Sequence, residues 1–447
     1  MIIMRSNINV ILITIDCLRA DFVGCINHNM TITPNIDKIA EEGIVFSSAF
    51  SNGPYTRASL PSILSSAYTN AYPDPHRFSL YRTSIAEILN KFGFYTAGFN
   101  TNAYLSSFYS YNKGFDYFDD ILSGKKKSLS QSYQKIKKKV VKVIKNSRFK
   151  KILNYIPLDY SKNRDVKMLN KKVIKLLKEK RENVFIWMHY MDAHIPYTPP
   201  KRYRKISKRG VTKIFEMITN KPFQITDKMT DEVRMLYEGT IKYTDDEFGK
   251  FVEKLKEIKQ YNNTLFIITS DHGDAFREHG SFSHNAVLYD ELIHIPLIIK
   301  GPKIPKGLSI EHIVSSIDIS PTILEYVGHE KEEDFMGMSL MPLIQNEKEN
   351  YNREGVISEI IPDQEHKLVS YRTNNYKLII DYNTGNKELY DLQEDPEERL
   401  NIYSKENEIA SQFEKKIEEH EERKKINLKK VEEMKKISQI IGNLKII

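Results

Sequence analysis

Apolar, β-branched runs alternating with helix-period segments constrain this chain more than any other feature of it. Residues 9–15, 44–49, 95–99, 184–188, 264–269 and 294–299 read as strands. Residues 36–42, 84–92, 165–180, 231–258 and 320–327 read as helices. Continuously apolar strands alternating with helices predict an α/β fold, a large mixed or parallel sheet sandwiched by helices. Ligands of such sheets gather beyond the carboxyl ends of the strands. The residues immediately after each run are therefore the first place to look for chemistry.

After about residue 350 the texture changes. Residues 367–372, 376–382 and 387–391 read as short antiparallel strands, with Gly385 supplying a turn between the last two. The expected organisation is a catalytic unit at 1–350, a small α+β domain at 351–402 and a charged helical tail at 403–447. A 447-residue chain with 40% hydrophobic and 28% charged residues can bury a large core and is not disordered. Its two cysteines, Cys17 and Cys25, exclude a disulfide framework and a cysteine-rich zinc site. No apolar run is long enough to span a membrane. The segment 10–15 is short, β-branched and without a small-residue cleavage site, so it reads as a buried strand rather than a signal peptide, and the expected compartment is the cytoplasm. The net charge of +8 is local, because 125–151 alone holds twelve Lys and Arg and no acid. That segment reads as a basic amphipathic helix, either a solvated insertion or a peripheral contact with an anionic surface. No nucleic-acid partner is expected.

Five segments carry candidate chemistry. Asp16 ends a buried run, where a carboxylate is costly unless paired or metal-bound; a helix cap is the other reading. Asp271 and His272 follow another run and can reach one cation through oxygen and nitrogen; a polar turn around Gly273 is the alternative. His189, Asp192 and His194 follow a third and suit anion binding or protonation of a leaving group. His279 and His284 lie on a loop able to fold back over the Asp-His pair. Ser59, two residues before Pro61, reads as lying near a helix N-terminus, as an N-cap or as a nucleophile beside a metal.

Together and in this order, the segments resemble the sulfatase family of the alkaline phosphatase superfamily. The resemblance rests on residues 9–24, on Thr33-Pro34-Asn35-Ile36-Asp37, on Met191-Asp192-Ala193-His194-Ile195-Pro196-Tyr197, on Ser270-Asp271-His272-Gly273-Asp274 with Glu278-His279-Gly280, on residues 317–322, and on Glu388-Leu389-Tyr390-Asp391. It implies an alkaline phosphatase-like fold and a hydrolase of sulfuric esters, of which sulfated carbohydrates are one class. The substrate would be a small or polymeric anionic ester. It also implies one divalent cation, Ca2+ or Mn2+, held by Asp16, Asp271 and His272. Many members carry a second acid beside the first; here Cys17 stands there, which moves the expectation towards manganese.

The family nucleophile lies in a Cys/Ser-x-Pro-x-Arg motif and is oxidised to formylglycine. Ser59-Leu60-Pro61-Ser62 matches four positions, and Ile63 stands in place of Arg. Ser59 is thus the implied nucleophile, as formylglycine or as a plain alkoxide, with Thr56 the alternative. Arg19 or Arg57 would replace the missing charge. His284 is implied to bind the ester oxygens and His194 to protonate the leaving group. Phosphodiester or phosphonate hydrolysis, phosphoglycerol-type transfer and an inactive anion-binding protein are the rival functions.

Overall fold

The computed structural model describes residues 8–120, 165–180, 183–204, 206–207, 210–211, 214, 225–330 and 332–444. The basic segment 125–151 lies outside them. In chain order the strands and helices are β1 (Asn9–Ile15), α1 (Pro34–Glu41), β2 (Ile44–Phe50), α2 (Thr56–Ser65), α3 (Ile85–Lys91), β3 (Tyr95–Asn100), β4 (Tyr117–Asp119), α4 (Val166–Glu179) and β5 (Val184–Tyr190). Then come α5 (Asp227–Glu257), β6 (Thr264–Ser270), α6 (Asp290–Ile293), β7 (His294–Lys300), β8 (Leu308–Ile310), β9 (Val314–Ser315), α7 (Ile319–Tyr326) and α8 (Met341–Ile344). The last are β10 (Val356–Glu359), β11 (Leu368–Arg372), β12 (Tyr376–Asp381), β13 (Lys387–Asp391) and α9 (Asn407–Leu444).

The nine-stranded sheet runs β4-β3-β5-β1-β6-β7-β2-β8, with β9 also on β2. β1 sits at its centre, parallel to β5 and β6, with Ile15 opposite both Tyr190 and Ser270. β7 is antiparallel to both neighbours, and the two reversals return β2 to the direction of β1. The sheet is therefore mixed, and the carboxyl ends of β1, β2, β3, β5 and β6 share one edge.

All seven residues of β1 are buried, as the unbroken apolar run predicts. Because successive side chains face opposite ways, Ile11, Ile13 and Ile15 pack with Ile36 of α1, Val173 of α4 and Leu236 of α5. Val10 and Leu12 pack with Leu60 of α2, Ile88 of α3 and Ile323 of α7. This gives helix, sheet and helix layers.

The second sheet, β10-β11-β12-β13, is antiparallel throughout. One face shares a core with the large sheet through Phe50, Leu292 and Ile293 against Val356, Ile379 and Tyr390. The other packs on Ala410, Phe413 and Ile417 of α9. The tail is thus a helix docked on this sheet. Gly385 takes φ 76°, as its turn requires. Four strands stand where three were expected, because β10 is only four residues long.

Candidate active site

The shared strand edge gathers the polar residues that follow the apolar runs. Asp16 follows β1, and its backbone N–H donates to the Tyr190 carbonyl at 2.9 Å. His189 is the penultimate residue of β5. Asn102 follows β3, and Asp271 and His272 follow β6. The loop after β2 is held by Ser51, whose hydroxyl donates to the Asp271 carbonyl at 2.5 Å. Ser358 of the second sheet in turn donates to the Ser51 carbonyl at 2.5 Å.

Asp16 and Asp271 are both fully buried. Asp16 Oδ2 accepts from Asn102 Nδ2 at 3.2 Å and from His189 Nε2 at 3.1 Å. His189 Nδ1 lies 2.8 Å from Thr14 Oγ1, which also accepts from Trp187 Nε1. Burial alone would raise Asp16, but His194, His189 and His272 hold its carboxyl well below the usual range. Burial, then the neighbouring Asp16, pushes Asp271 up to about 8. The two acids face one buried gap, and Asp271 Oδ2 has no hydrogen-bond partner among the described residues.

His272 faces the same gap. Its Nδ1 lies 2.8 Å from the Gly273 carbonyl and so carries the proton. Its Nε2 lone pair points at Asp16 Oδ1 and Asp271 Oδ2, each 3.5 Å away. Burial and His284 lower His272 to about 4, so the ring is neutral and these contacts are not ion pairs. Three lone-pair donors converging on one point, one of them orphaned, fit a divalent cation.

Two sequence-based assignments are corrected. α2 begins at Thr56, not near Pro61, which lies inside the helix. Ser59 is therefore one turn along, and its hydroxyl is 3.5 Å from the Thr56 carbonyl. The hydroxyl at the helix start is that of Thr56, 3.2 Å from His272 Nε2 and 3.5 Å from Asp16 Oδ2. Arg19 does not open onto the gap. Its guanidinium is bound to Asp21, to Glu278 at 2.7 Å and to the Asp274 carbonyl at 3.0 Å. It braces the loop after β6 rather than meeting a substrate.

His194 and His284 do come together, with ring centroids 4.8 Å apart, and His284 lies equally close to the His272 ring. His284 Nδ1 is 3.4 Å from Asp274 Oδ1, whose other oxygen accepts from Tyr197. Burial opposes charge on His284, but Asp274, Asp16 and Asp271 raise it above its ordinary value. His194 Nδ1 is 2.5 Å from the Ile195 carbonyl. His279 is elsewhere, stacked on Tyr289 and 2.8 Å from Glu291. Asp192 accepts from the Val166 N–H and caps α4. Asn102 carried no motif of its own, and Asp274 entered only as the last residue of the Ser270-Asp271-His272-Gly273-Asp274 motif, with no role assigned. His189, expected just after the run 184–188, lies within β5, which continues to Tyr190.

A family model described as Sulfatase matches residues 8–329. The chain belongs to the sulfatase family. A second model, N-sulphoglucosamine sulphohydrolase, C-terminal, matches 277–423 of this sulfatase-family chain. It is 31% identical over 204 residues to arylsulfatase K of Bos taurus, covering 43% of this chain and 37% of that protein. To an arylsulfatase of Clostridium perfringens it is 25% identical over 447 residues, covering 89% and 90%. It thus spans little more than a third of the bovine relative and nearly all of the bacterial one. Among solved structures it resembles a phosphonate monoester hydrolase of Agrobacterium radiobacter, with TM-score 0.72, 19% identity and coverage of 93% and 96%. That likeness bears on the fold, which is that of the alkaline phosphatase superfamily.

Proposed function

We propose that this sulfatase-family protein hydrolyses an anionic sulfuric ester with the unmodified hydroxyl of Thr56 as nucleophile. The observation that carries this reading is Thr56 Oγ1 itself, at the start of α2 and facing His272 and Asp16. Asp16, Asp271 and His272 would hold the divalent cation, which supplies charge for the ester oxygens and lowers the pKa of a nearby hydroxyl. The α2 N-terminus turns free backbone N–H groups and the positive end of its dipole towards the same anion. His284 pairs with the ester oxygens. Thr56 Oγ1 bonds to sulfur and releases its proton to solvent; the bond from sulfur to the leaving oxygen breaks, and His194, entering the step as an imidazolium, protonates that oxygen through Nε2. Water then attacks sulfur, releasing sulfate and restoring threonine. Oxidation of threonine, a secondary alcohol, would give a ketone, so the formylglycine route does not pass through Thr56.

A sulfated carbohydrate is the substrate class we favour. The C-terminal family model supports it, as does an aromatic and cationic patch beside α2. There Tyr104 and Phe108 are exposed, and the Arg57 guanidinium lies 4.9 Å from the Tyr104 ring centroid. A second reading, phosphodiester or phosphonate hydrolysis, is favoured by the same Thr56, because a plain alkoxide suits phosphoryl transfer. Side-by-side turnover of an aryl sulfate, a sulfated glucosamine and an aryl phosphodiester, with manganese, calcium, zinc and cobalt each in turn, separates the two. Faster turnover of the sulfates supports the first reading, and turnover of the diester alone replaces it with the second. Ligand binding without any turnover would mark an inactive binding protein.

A further inference from the structure

Cys17 sits at the centre of the site, yet the mechanism above gives it no part. It is a non-glycine residue at φ 62°, a left-handed conformation that strains a side chain and persists only when its surroundings enforce it. Both of its backbone groups are tied down. The N–H donates to Asp271 Oδ1 at 3.3 Å, and the carbonyl accepts from the Tyr237 hydroxyl at 2.6 Å. This turn directs a fully buried thiol at Asp16 Oδ1, 3.1 Å away, and towards His284 Nδ1 at 3.6 Å.

Cys17 Sγ lies within 4.8 Å of ring nitrogens of His272 and His284, and, in a second grouping, of Asp16 and His194. Independently, Asp271 Oδ2 points into the same gap without a partner. A tetrahedral ion with ligands about 2.0–2.3 Å away holds those ligands about 3.3–3.8 Å from one another. The spacings here are 3.1 Å from Sγ to Asp16 Oδ1 and 3.5 Å from His272 Nε2 to each carboxylate oxygen. Calcium wants six to eight oxygens, and this gap offers two carboxylates among imidazoles and sulfur.

We propose that Cys17 is a thiolate ligand of the site's cation and makes the site select a borderline metal such as zinc or cobalt over calcium. This rests on the metal-dependent reading above. On binding, the Sγ–metal bond replaces the S–H bond and the proton leaves to solvent.

The test is cobalt reconstitution of the metal-stripped full-length protein, read by metal stoichiometry and near-ultraviolet absorption. The expected result is one cobalt per chain with a sulfur-to-cobalt charge-transfer band, lost in Cys17→Ser and kept in Cys25→Ser. Cys17→Asp should lower the preference for zinc over calcium at least tenfold in competition. One cobalt per chain without the band, or a band that survives in Cys17→Ser, overturns the proposal and leaves the metal-dependent reading standing. Failure to take up any metal overturns both. Should the Cys17 variants not fold, X-ray absorption of zinc-loaded Cys25→Ser decides: a sulfur neighbour at about 2.3 Å supports the assignment, and a shell of nitrogen and oxygen alone refutes it.

Discussion

A hydroxyl at the first position of a helix meets the helix dipole and its free N–H groups, whereas one three residues later faces the helix's own backbone. Thr56 and Ser59 differ in this way. Thr56→Ala should therefore lower kcat by about a thousandfold or more, and Ser59→Ala by no more than about threefold, in steady-state assays on whichever ester is turned over. Asp271 gives a second prediction. Without metal its raised pKa of about 8 means that the folded state holds a proton the unfolded state has released. Stability of the metal-free protein should thus fall as pH rises from about 4 to about 8. Asp271→Asn should flatten that slope in urea titrations and also remove the rise in Tm on adding metal. Sequence reading reached Asp16, Asp271 and His272 because each stands just outside an apolar run, where a polar side chain needs a reason, and reached the roles of His194 and His284 through the family resemblance. Pro61 and the Ser59-Leu60-Pro61-Ser62 match pointed to Ser59, with Thr56 as the alternative, and the fold puts Thr56 rather than Ser59 at the helix start. Arg19 looked free for the same kind of reason, since its partners Glu278 and Asp274 are about 255 positions away.

Among the elements, α9 is tied to the second sheet by one buried acid. Glu359 ends β10 and accepts from Lys424 Nζ at 2.5 Å and from His420 Nε2 at 3.1 Å. Burial would raise its pKa, but Lys424 and His420 bring it down to about 2 from 4.5. A depressed acid stabilises the folded state above its unfolded pKa and loses that contribution as pH falls through the folded one. For Glu359 the window runs from 4.5 down to about 2, and the shift corresponds to about 3 kcal/mol. Glu359→Gln should lower unfolding free energy by about this much at pH 7 and weaken its fall over the acid window, measured by urea denaturation. Strand interiors were legible in the sequence because burial on both faces leaves a continuous apolar run. β10 was not, since its Val356-Ile357-Ser358-Glu359 is too short to show a period. α5 begins at Asp227, four residues before the expected start, because Thr226 caps it with a side-chain bond to the Met229 N–H at 3.3 Å.

For the molecule as a whole, α9 joins the second sheet to the segment that leaves α2. Val431 packs with Ala67, Ala71 and Tyr72, and Asn427 Nδ2 donates to the Ala71 carbonyl at 2.5 Å. Removing the chain from residue 405 onward uncovers Phe413's and Ile417's partners on the sheet and this contact together. Tm should drop by roughly 10 °C or more, and kcat should fall as well, because the nucleophile helix loses its support. Scanning calorimetry and steady-state kinetics on the truncated chain check both. The place of β1 has a further consequence. β1 is the central strand, and the nearer of its two neighbours along the chain, β5, begins 175 residues further on. At ordinary translation speeds the apolar run Val10-Ile11-Leu12-Ile13 of this strand waits roughly ten to thirty seconds before β5 is made. The edge pair β3-β4 can form first, but the centre of the sheet stays open until β5 and β6 are made. In the cell, this protein's yield should therefore depend on chaperones that bind nascent chains near the N-terminus.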